Sequence, residues 1–434
     1  MIMKRIVSLI LTIVMLFSTL AVLSSCGDDD KGDDGVKTVR IARWASAWEK
    51  EVFEAWTAEF EADNPDIKIE WEWNAYNAHF DRIKTDLLSQ MAADIIFVNY
   101  WGWYPYRDVD MFEDLGSVPE LQECYNKLIP EVKGEFYYNG KTIGMPIGLV
   151  TRVPVVNTEL FDNAGVEIPS DRSTCFTTEE FTDMITKVMY HPDNNVELGI
   201  NITLTDLLYQ MLASVGSPMF DDNYNININN EKGIAAVREF QQFVYGSGVV
   251  IPYQQSSGSG KYGSVTDCLL YKDATGNRLV AAGYTNPGNI VTPTSAGVDV
   301  ATIPGIKAEG GVDTIMGDIN TLVVPVFSKV KPEAYRVIKW FMEKEQQLKY
   351  VEFGDLPVTE EAFNEIFTNT AKFDPSIYSA YQVGMDNLVI AKPTSSRWQA
   401  FMAGYFKKLC EGAISPEEFC KEISEQGPQY LKEE

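Results

Sequence analysis

Trp44 and Trp48, Asn74 and Tyr76, and Asn99, Trp101, Trp103 and Tyr104 fall in three short stretches that mix aromatic rings with side-chain amides. An aromatic face stacks on the apolar C–H face of a sugar ring, while amides and carboxylates hydrogen-bond its hydroxyls. The mixture therefore suits a neutral polyol better than a phosphate or a metal. Core packing is the competing reading for each ring taken singly. Nucleophilic and metal chemistry find less support. The chain has 2 histidines, too few for a histidine-built zinc site and leaving little room for a Ser-His-Asp arrangement. His79 on a surface-like helix and His191 in a Pro-Asp-Asn turn read as surface residues. No carboxylate stands in a recognisable glycosidase motif, and the stretch Gly258 to Gly263 lacks the phosphate-loop lysine spacing. Asp221-Asp222-Asn223 lacks the twelve-residue calcium-loop pattern. Neither a cofactor nor a resident metal is expected.

The elements that would position the rings can be read from periodicity. Val39, Ile41 and Arg43 alternate with Arg40 and Ala42 in a short strand, and Val52, Phe53, Trp56 and Phe60 then recur at helical spacing until Asn64-Pro65. Ile67, Ile69, Trp71 and Trp73 alternate with charged residues as a half-buried strand. Phe80, Ile83, Leu87 and Leu88 mark a second amphipathic helix, and Ile95-Ile96-Phe97-Val98 is the continuous apolar run of a central parallel strand. This βαβαβ order opens an α/β lobe with an open sheet. Ligands of such sheets sit outside the carboxyl ends of the strands, where all three ring-bearing stretches fall.

Composition bounds the rest. With 36 Lys and Arg against 62 Asp and Glu, the formal charge is −26, which argues against nucleic acid and against electrostatic adhesion to anionic lipid. At 434 residues the chain exceeds what one core supports, so two lobes are expected. Cys124, Cys175, Cys268, Cys410 and Cys420 form an odd set without CxxC or metal-finger spacing; a Cys410–Cys420 pair stays open. The Ser- and Gly-rich stretch from Gln254 to Gly263 reads as a surface loop. At the start, Lys4 and Arg5 precede an apolar run from Ile6 to Leu23, and Ala-Val-Leu-Ser-Ser ends at Cys26. This is the layout of a secretory signal, and it resembles the lipobox of bacterial lipoproteins, in which the cysteine thiol takes a diacylglycerol. An uncleaved transmembrane anchor is the alternative. The Gly-, Asp- and Lys-only stretch from Gly27 to Gly35 favours lipidation at Cys26, because such a composition buries nothing and serves as a solvated tether.

Ala93-Asp94-Ile95-Ile96-Phe97, Asn139-Gly140-Lys141-Thr142-Ile143-Gly144-Met145-Pro146 and the run from Val155 to Gly165 resemble extracellular solute-binding proteins of the maltose-binding type. So do Thr177 to Phe181, where the family's usual Trp is missing, Phe220 to Val237, Gly317 to Phe341, and the Gly-x-x-Pro-Val-Thr turn at Gly354 to Thr359. The resemblance implies a periplasmic-binding-protein-like class II fold: two α/β lobes joined by hinge crossovers near Gly148–Arg152 and Gly317–Asn320, with a ligand cleft between them. The division it implies is a signal peptide over 1–25, a lipidated cysteine and acidic tether over 26–36, a first lobe from 37–149 and 318–356, and a second lobe from 150–317 and 357–434. Arg152 then stands at the hinge, with a surface ion pair as its duller role. Asp318 and Asn320 flank the return crossover, with turn capping as the competitor. Tyr284 and Asn286 follow a strand after which the family often places a cleft aromatic, and Trp398 lies in a late segment where the family offers a stacking ring. The implied function is capture of a sugar or oligosaccharide by a membrane-anchored monomer, through ligand-driven closure, for the permease subunits of an ATP-binding cassette (ABC) importer. An extracellular glycoside hydrolase and a glycan-binding surface lipoprotein without a transport role are the alternatives.

Overall fold

In the computed structural model, the described residues are 35–99, 110–221, 225–253, 265–272, 276–286, 290, 294, 296–392 and 396–431. Trp101, Trp103 and Tyr104, the signal segment with Cys26, and the whole Ser/Gly-rich stretch from Gln254 to Gly263 lie outside them.

Two sheets organise the chain. Their strands are β1 (Lys37–Trp44), β2 (Ile67–Asn74), β3 (Ile95–Asn99), β4 (Met145–Thr151), β5 (Val153–Asn157), β6 (Val196–Asn201), β7 (Arg278–Thr285), β8 (Val300–Thr302), β9 (Met316–Val323) and β10 (Val389–Ile390). The first sheet runs β2-β1-β3-β9-β10, with β4 on the other side of β9. β1 pairs in parallel with β2 along its whole length and with β3 at Ile41 and Ala42. β9 returns antiparallel between β3 and β4. β3 is buried at all five positions because it is flanked on both edges and covered on both faces, which is why its sequence does not alternate. The second sheet runs β8-β5-β7-β6. Its alternation places Val156 in one core and Val155 in another, since successive residues of a strand face opposite ways.

The helix α1 (Ala47–Asp63) starts with a capping box in which Ser46 and Glu49 exchange bonds, and it buries Phe53, Trp56 and Phe60 against the first sheet. The helix α2 (Tyr76–Leu88) buries His79, Ile83 and Leu87. β4 belongs to the first sheet and β5 to the second, with Arg152 alone between them, and the chain is back in the first sheet at Met316.

Most of the stretch 357–390, assigned above to the second lobe, packs with the first, while Ser376, Ile377 and Ser379 touch the second through Thr302 and Ser170. Val358, Ala362, Ile366, Phe373, Tyr381 and Met385 all belong to the first core. The helix Glu360–Thr368 turns Ala362 and Ile366 inward, and β10 extends the first sheet by pairing with β9. The chain joins the second core again from Trp398, through Met402, Phe406 and Leu409.

Candidate functional site

The parallel strands of the first sheet end side by side. Trp44 closes β1 opposite Asn74 of β2, and Asn99 closes β3 opposite Asn320 of β9. Above this rim lies a cleft of about 470 Å³. Trp44, Trp48, Tyr76, Asn99, Arg152, Asn286, Asp318 and Asn320 all stand on its wall.

The aromatic part of the wall is built by α1 and α2. Trp48, in the first turn of α1, is 45 % exposed and stacks one face on Phe353 at 6.1 Å and 12°, which leaves the other face open. Tyr76, the first residue of α2, is 47 % exposed and meets the edge of Trp44 at 5.5 Å. Its hydroxyl accepts a bond from Asn99 Nδ2 at 2.6 Å, which fixes the ring. Trp44 is half-buried, supported from below by Phe80 at 5.4 Å and His79 at 5.3 Å. Core packing and wall lining are thus both true of Trp44.

His79 is a correction. It is buried rather than on the surface, and its Nε2–H donates to the Phe97 carbonyl at 2.7 Å. Burial is the main cause that pulls its pKa down to about 4, helped by the nearby Arg43 and Arg82, so the ring is neutral at neutral pH. His191 sits in its turn, Nδ1 accepting from the Asp193 amide at 3.3 Å.

The polar floor is a buried network. Arg43 shares the inward face of β1 with Val39 and Ile41 and is almost fully buried. Its guanidinium donates to the Trp44 carbonyl at 2.8 Å and to Glu49 Oε1 at 3.3 Å, and it lies 4.1 Å over the Phe53 ring. A buried charge persists only with such partners. Asp355, in the turn after Phe353, accepts from Asn320 Nδ2 at 2.6 Å. Burial raises its carboxyl to about 6 against the opposing pull of Asn320 and Arg43. Gly148 permits this closeness, since a Cβ there would lie 2.4 Å from the Tyr350 ring and 2.7 Å from the Asp355 carboxylate. Asp318 Oδ1 accepts from the neighbouring Ile319 amide at 2.8 Å while lining the cleft.

Arg152 is both a wall residue and a member of an ion pair. It meets Asp206 at 3.3 Å, in the first turn of the helix Leu204–Ser214, and so links the crossover to the second lobe. Burial raises the Asp206 pKa and the Arg152 charge opposes it.

Other candidates stand elsewhere. Asn74 is half-buried at the end of β2, its amide directed to the Glu72 carbonyl at 3.4 Å, and it is not on the wall. Tyr284 is 1 % exposed inside the second core, its hydroxyl donating to Gln210 Oε1 at 2.9 Å. It lies within a strand buried at all eight positions, so the ring fills the core and Gln210 satisfies the phenol. Trp398 is likewise 1 % exposed, 5.1 Å from Phe220 and tight against Gly427, where a Cβ would come within 2.7 Å of the indole. In this geometry it is a core ring with no face to offer a ligand.

Sequence reasoning missed Arg43, Glu49, Phe353, Asp355 and Asp206. The signal for Arg43 was a charged residue on the apolar face of a strand, and Asp355 lay inside the Gly-x-x-Pro-Val-Thr turn. Among the described residues, no group of three or more His, Cys, Asp or Glu is placed to hold a metal ion. Cys410 and Cys420 are both free, buried thiols, their pKa values pushed up to about 12 by burial.

Comparison with known proteins fits this architecture. An ABC substrate-binding protein of Listeria monocytogenes solved with cycloalternan superposes with a TM-score of 0.72 at 19 % identity, over 92 % of this chain and 100 % of that one. A cyclic alpha-maltosyl-1,6-maltose binding protein of Arthrobacter globiformis gives 0.73 at 16 % identity, over 92 % and 100 %. The sugar-binding protein MalE of Xanthomonas citri gives 0.71 at 16 %, over 91 % and 97 %. Among the described residues no helix is long and apolar enough to cross a membrane. The profile of the bacterial extracellular solute-binding protein family matches residues 41–348, well over half of the chain, and the chain belongs to that family.

Proposed function

We propose that the chain captures a neutral sugar or oligosaccharide in the cleft and passes it, unaltered, to the permease subunits of an ABC importer. The observation that carries this reading is the pairing of the open indole face of Trp48 with the amides and carboxylates of Asn99, Asn320, Asp318 and Asp355 on one wall. A ring packs on the indole while its hydroxyls find acceptors and donors whose positions are already fixed by Asn320–Asp355 and Tyr76–Asn99. The similar structures solved with cycloalternan or named for maltosyl sugars make α-glucosides the first ligands to try.

In this proposal the first lobe comprises 37–152 and 315–390, the second 153–314 and 391–431, and Arg152 lies on the hinge. Closure follows ligand binding because only an interaction made better in the closed state shifts the population. The protein works as a monomer held outside the cell by lipid on Cys26; a Cys26→Ser change should move it from the membrane fraction to the soluble one.

A thermal-shift screen of the mature chain against mono- and oligosaccharides tests the cleft. One sugar at a hundredfold excess over its Kd should stabilise by about 2.7 kcal/mol without release of new reducing ends. Accumulating reducing ends would instead mark a hydrolase, whose two working carboxylates stand about 5–10 Å apart. Trp48→Ala and Arg152→Ala should each raise Kd by about 10- to 100-fold in calorimetric titration, the range expected for a lost stacking face or charged hydrogen bond. Unchanged affinity in both variants would remove the cleft from consideration.

A further inference from the structure

The second lobe carries another concavity, of about 520 Å³, at the opposite end of its sheet from the cleft. β6 and β7 are parallel, with Arg278 opposite Val196 at their amino ends, whereas Asn286 on the cleft wall follows the carboxyl end of β7. Eight residues of strand separate the two places by about 25 Å, more than one small sugar can bridge.

Two phenol rings stand on the rim of this concavity. Tyr190, at the end of the helix Thr178–Met189, is 71 % exposed, and Tyr271 is 41 % exposed. Between them the lining is polar, with His191, Asn195, Asn277 and Arg278. Arg278 is buried, and its charge is balanced by Glu159 Oε2 at 3.0 Å from Nη2. Its Nε is buried with no hydrogen-bond partner. Glu159 balances Arg278, and the exposed Glu197 carboxylate on the wall disfavours an anion, while the side-chain amides offer donors and acceptors and the exposed rings offer apolar faces.

We infer that this concavity is a second, peripheral carbohydrate site that takes one or two rings of a neutral glycan chain, independently of the cleft. A site there lies on the outside of one lobe, is not enclosed by closure, and can engage the interior of a polymer as well as an oligosaccharide.

Affinity electrophoresis of the full mature chain through gels containing soluble starch, mixed-linkage β-glucan or xylan tests it. The native protein should be retarded in at least one gel. The Tyr190→Ala/Tyr271→Ala variant, and Tyr190→Ala alone to a smaller extent, should lose that retardation by fivefold or more in apparent affinity. Both changes are at exposed rings, so melting temperature and oligosaccharide affinity of the cleft should stay at native values. Trp48→Ala/Arg152→Ala should be retarded as the native protein is. Retardation in none of the three gels, or retardation that survives loss of both tyrosines, overturns the inference. Failure of the cleft reading would show separately, as a native protein with no oligosaccharide-dependent thermal shift.

Discussion

Phe53→Ala should lower the unfolding free energy by about 3–5 kcal/mol and weaken solute binding at the same time. Phe53 is fully buried in α1 and touches the rings of Trp56, Trp71, Phe97 and Tyr350, with Phe353 at 4.2 Å. Truncation removes the transfer energy of the ring and leaves a cavity that this rigid aromatic surround fills only in part. It also removes the face beneath the Arg43 guanidinium, 4.1 Å away, and the support of Phe353, on which Trp48 stacks. Phe60→Ala is the discriminating comparison. Phe60 lies in the same helix and is equally buried, but its ring contacts Trp340, away from the cleft wall. Urea denaturation should show a similar loss for both variants, whereas calorimetry should show weakened solute binding for Phe53→Ala alone. Equal affinities in the two variants would mean that the core does not position the wall.

That coupling explains what the sequence does and does not disclose. The ends of β1, β2 and β3 are legible because strand periodicity stops there, and Trp44, Trp48, Tyr76 and Asn99 stand together on one cavity wall, whereas Trp101, Trp103 and Tyr104 lie outside the described residues. Period alone does not say which way a residue faces once a strand is buried on both sides. Tyr284 sits in such a strand and points into the core, although Asn286, two positions on, reaches the cleft. Trp398 fails for a related reason: it opens a helix whose packing partners, Phe220 and Gly427, are remote in sequence, so nothing local marks its face. Arg43 and Asp355 were hidden because each looks anomalous or ordinary alone, and the meaning of both lies in the approach of β1, Gly148 and the 354–359 turn. The helices of 357–390 illustrate the same limit at the scale of a lobe. Their amphipathic pattern specifies that one face is buried, while the choice between two available cores is settled by β10 pairing with β9.

His79 and Asp355 should push stability in opposite directions between about pH 6.5 and 4. His79 has a folded pKa of about 4, below its unfolded value of about 6.5, because burial penalises the imidazolium and Arg43 and Arg82 add repulsion. The unfolded chain then binds the proton first, and the native state loses up to about 3 kcal/mol as pH falls through that window. Asp355 has a folded pKa of about 6, above its unfolded value of about 3.9. Burial and the neighbouring Glu49 outweigh the stabilisation of its charged form by Asn320, Arg43 and Tyr350. Here the native state binds the proton first, and stability rises by up to about 3 kcal/mol as pH falls from about 6 to 4. In the native protein the two contributions largely offset one another, and single variants should uncover each. His79→Gln, which keeps a donor for the Phe97 carbonyl, should gain on the native protein as the buffer is acidified. Asp355→Asn, which keeps an acceptor for Asn320, should exceed the native protein at pH 7 and lose that advantage by pH 4.5. Urea denaturation of the three proteins at pH 7, 5.5 and 4.5 reads both slopes, because carboxylates remote from the two sites contribute equally to each and cancel in the differences. Differences that stay constant across the three buffers would show that neither group titrates with the shift its burial dictates.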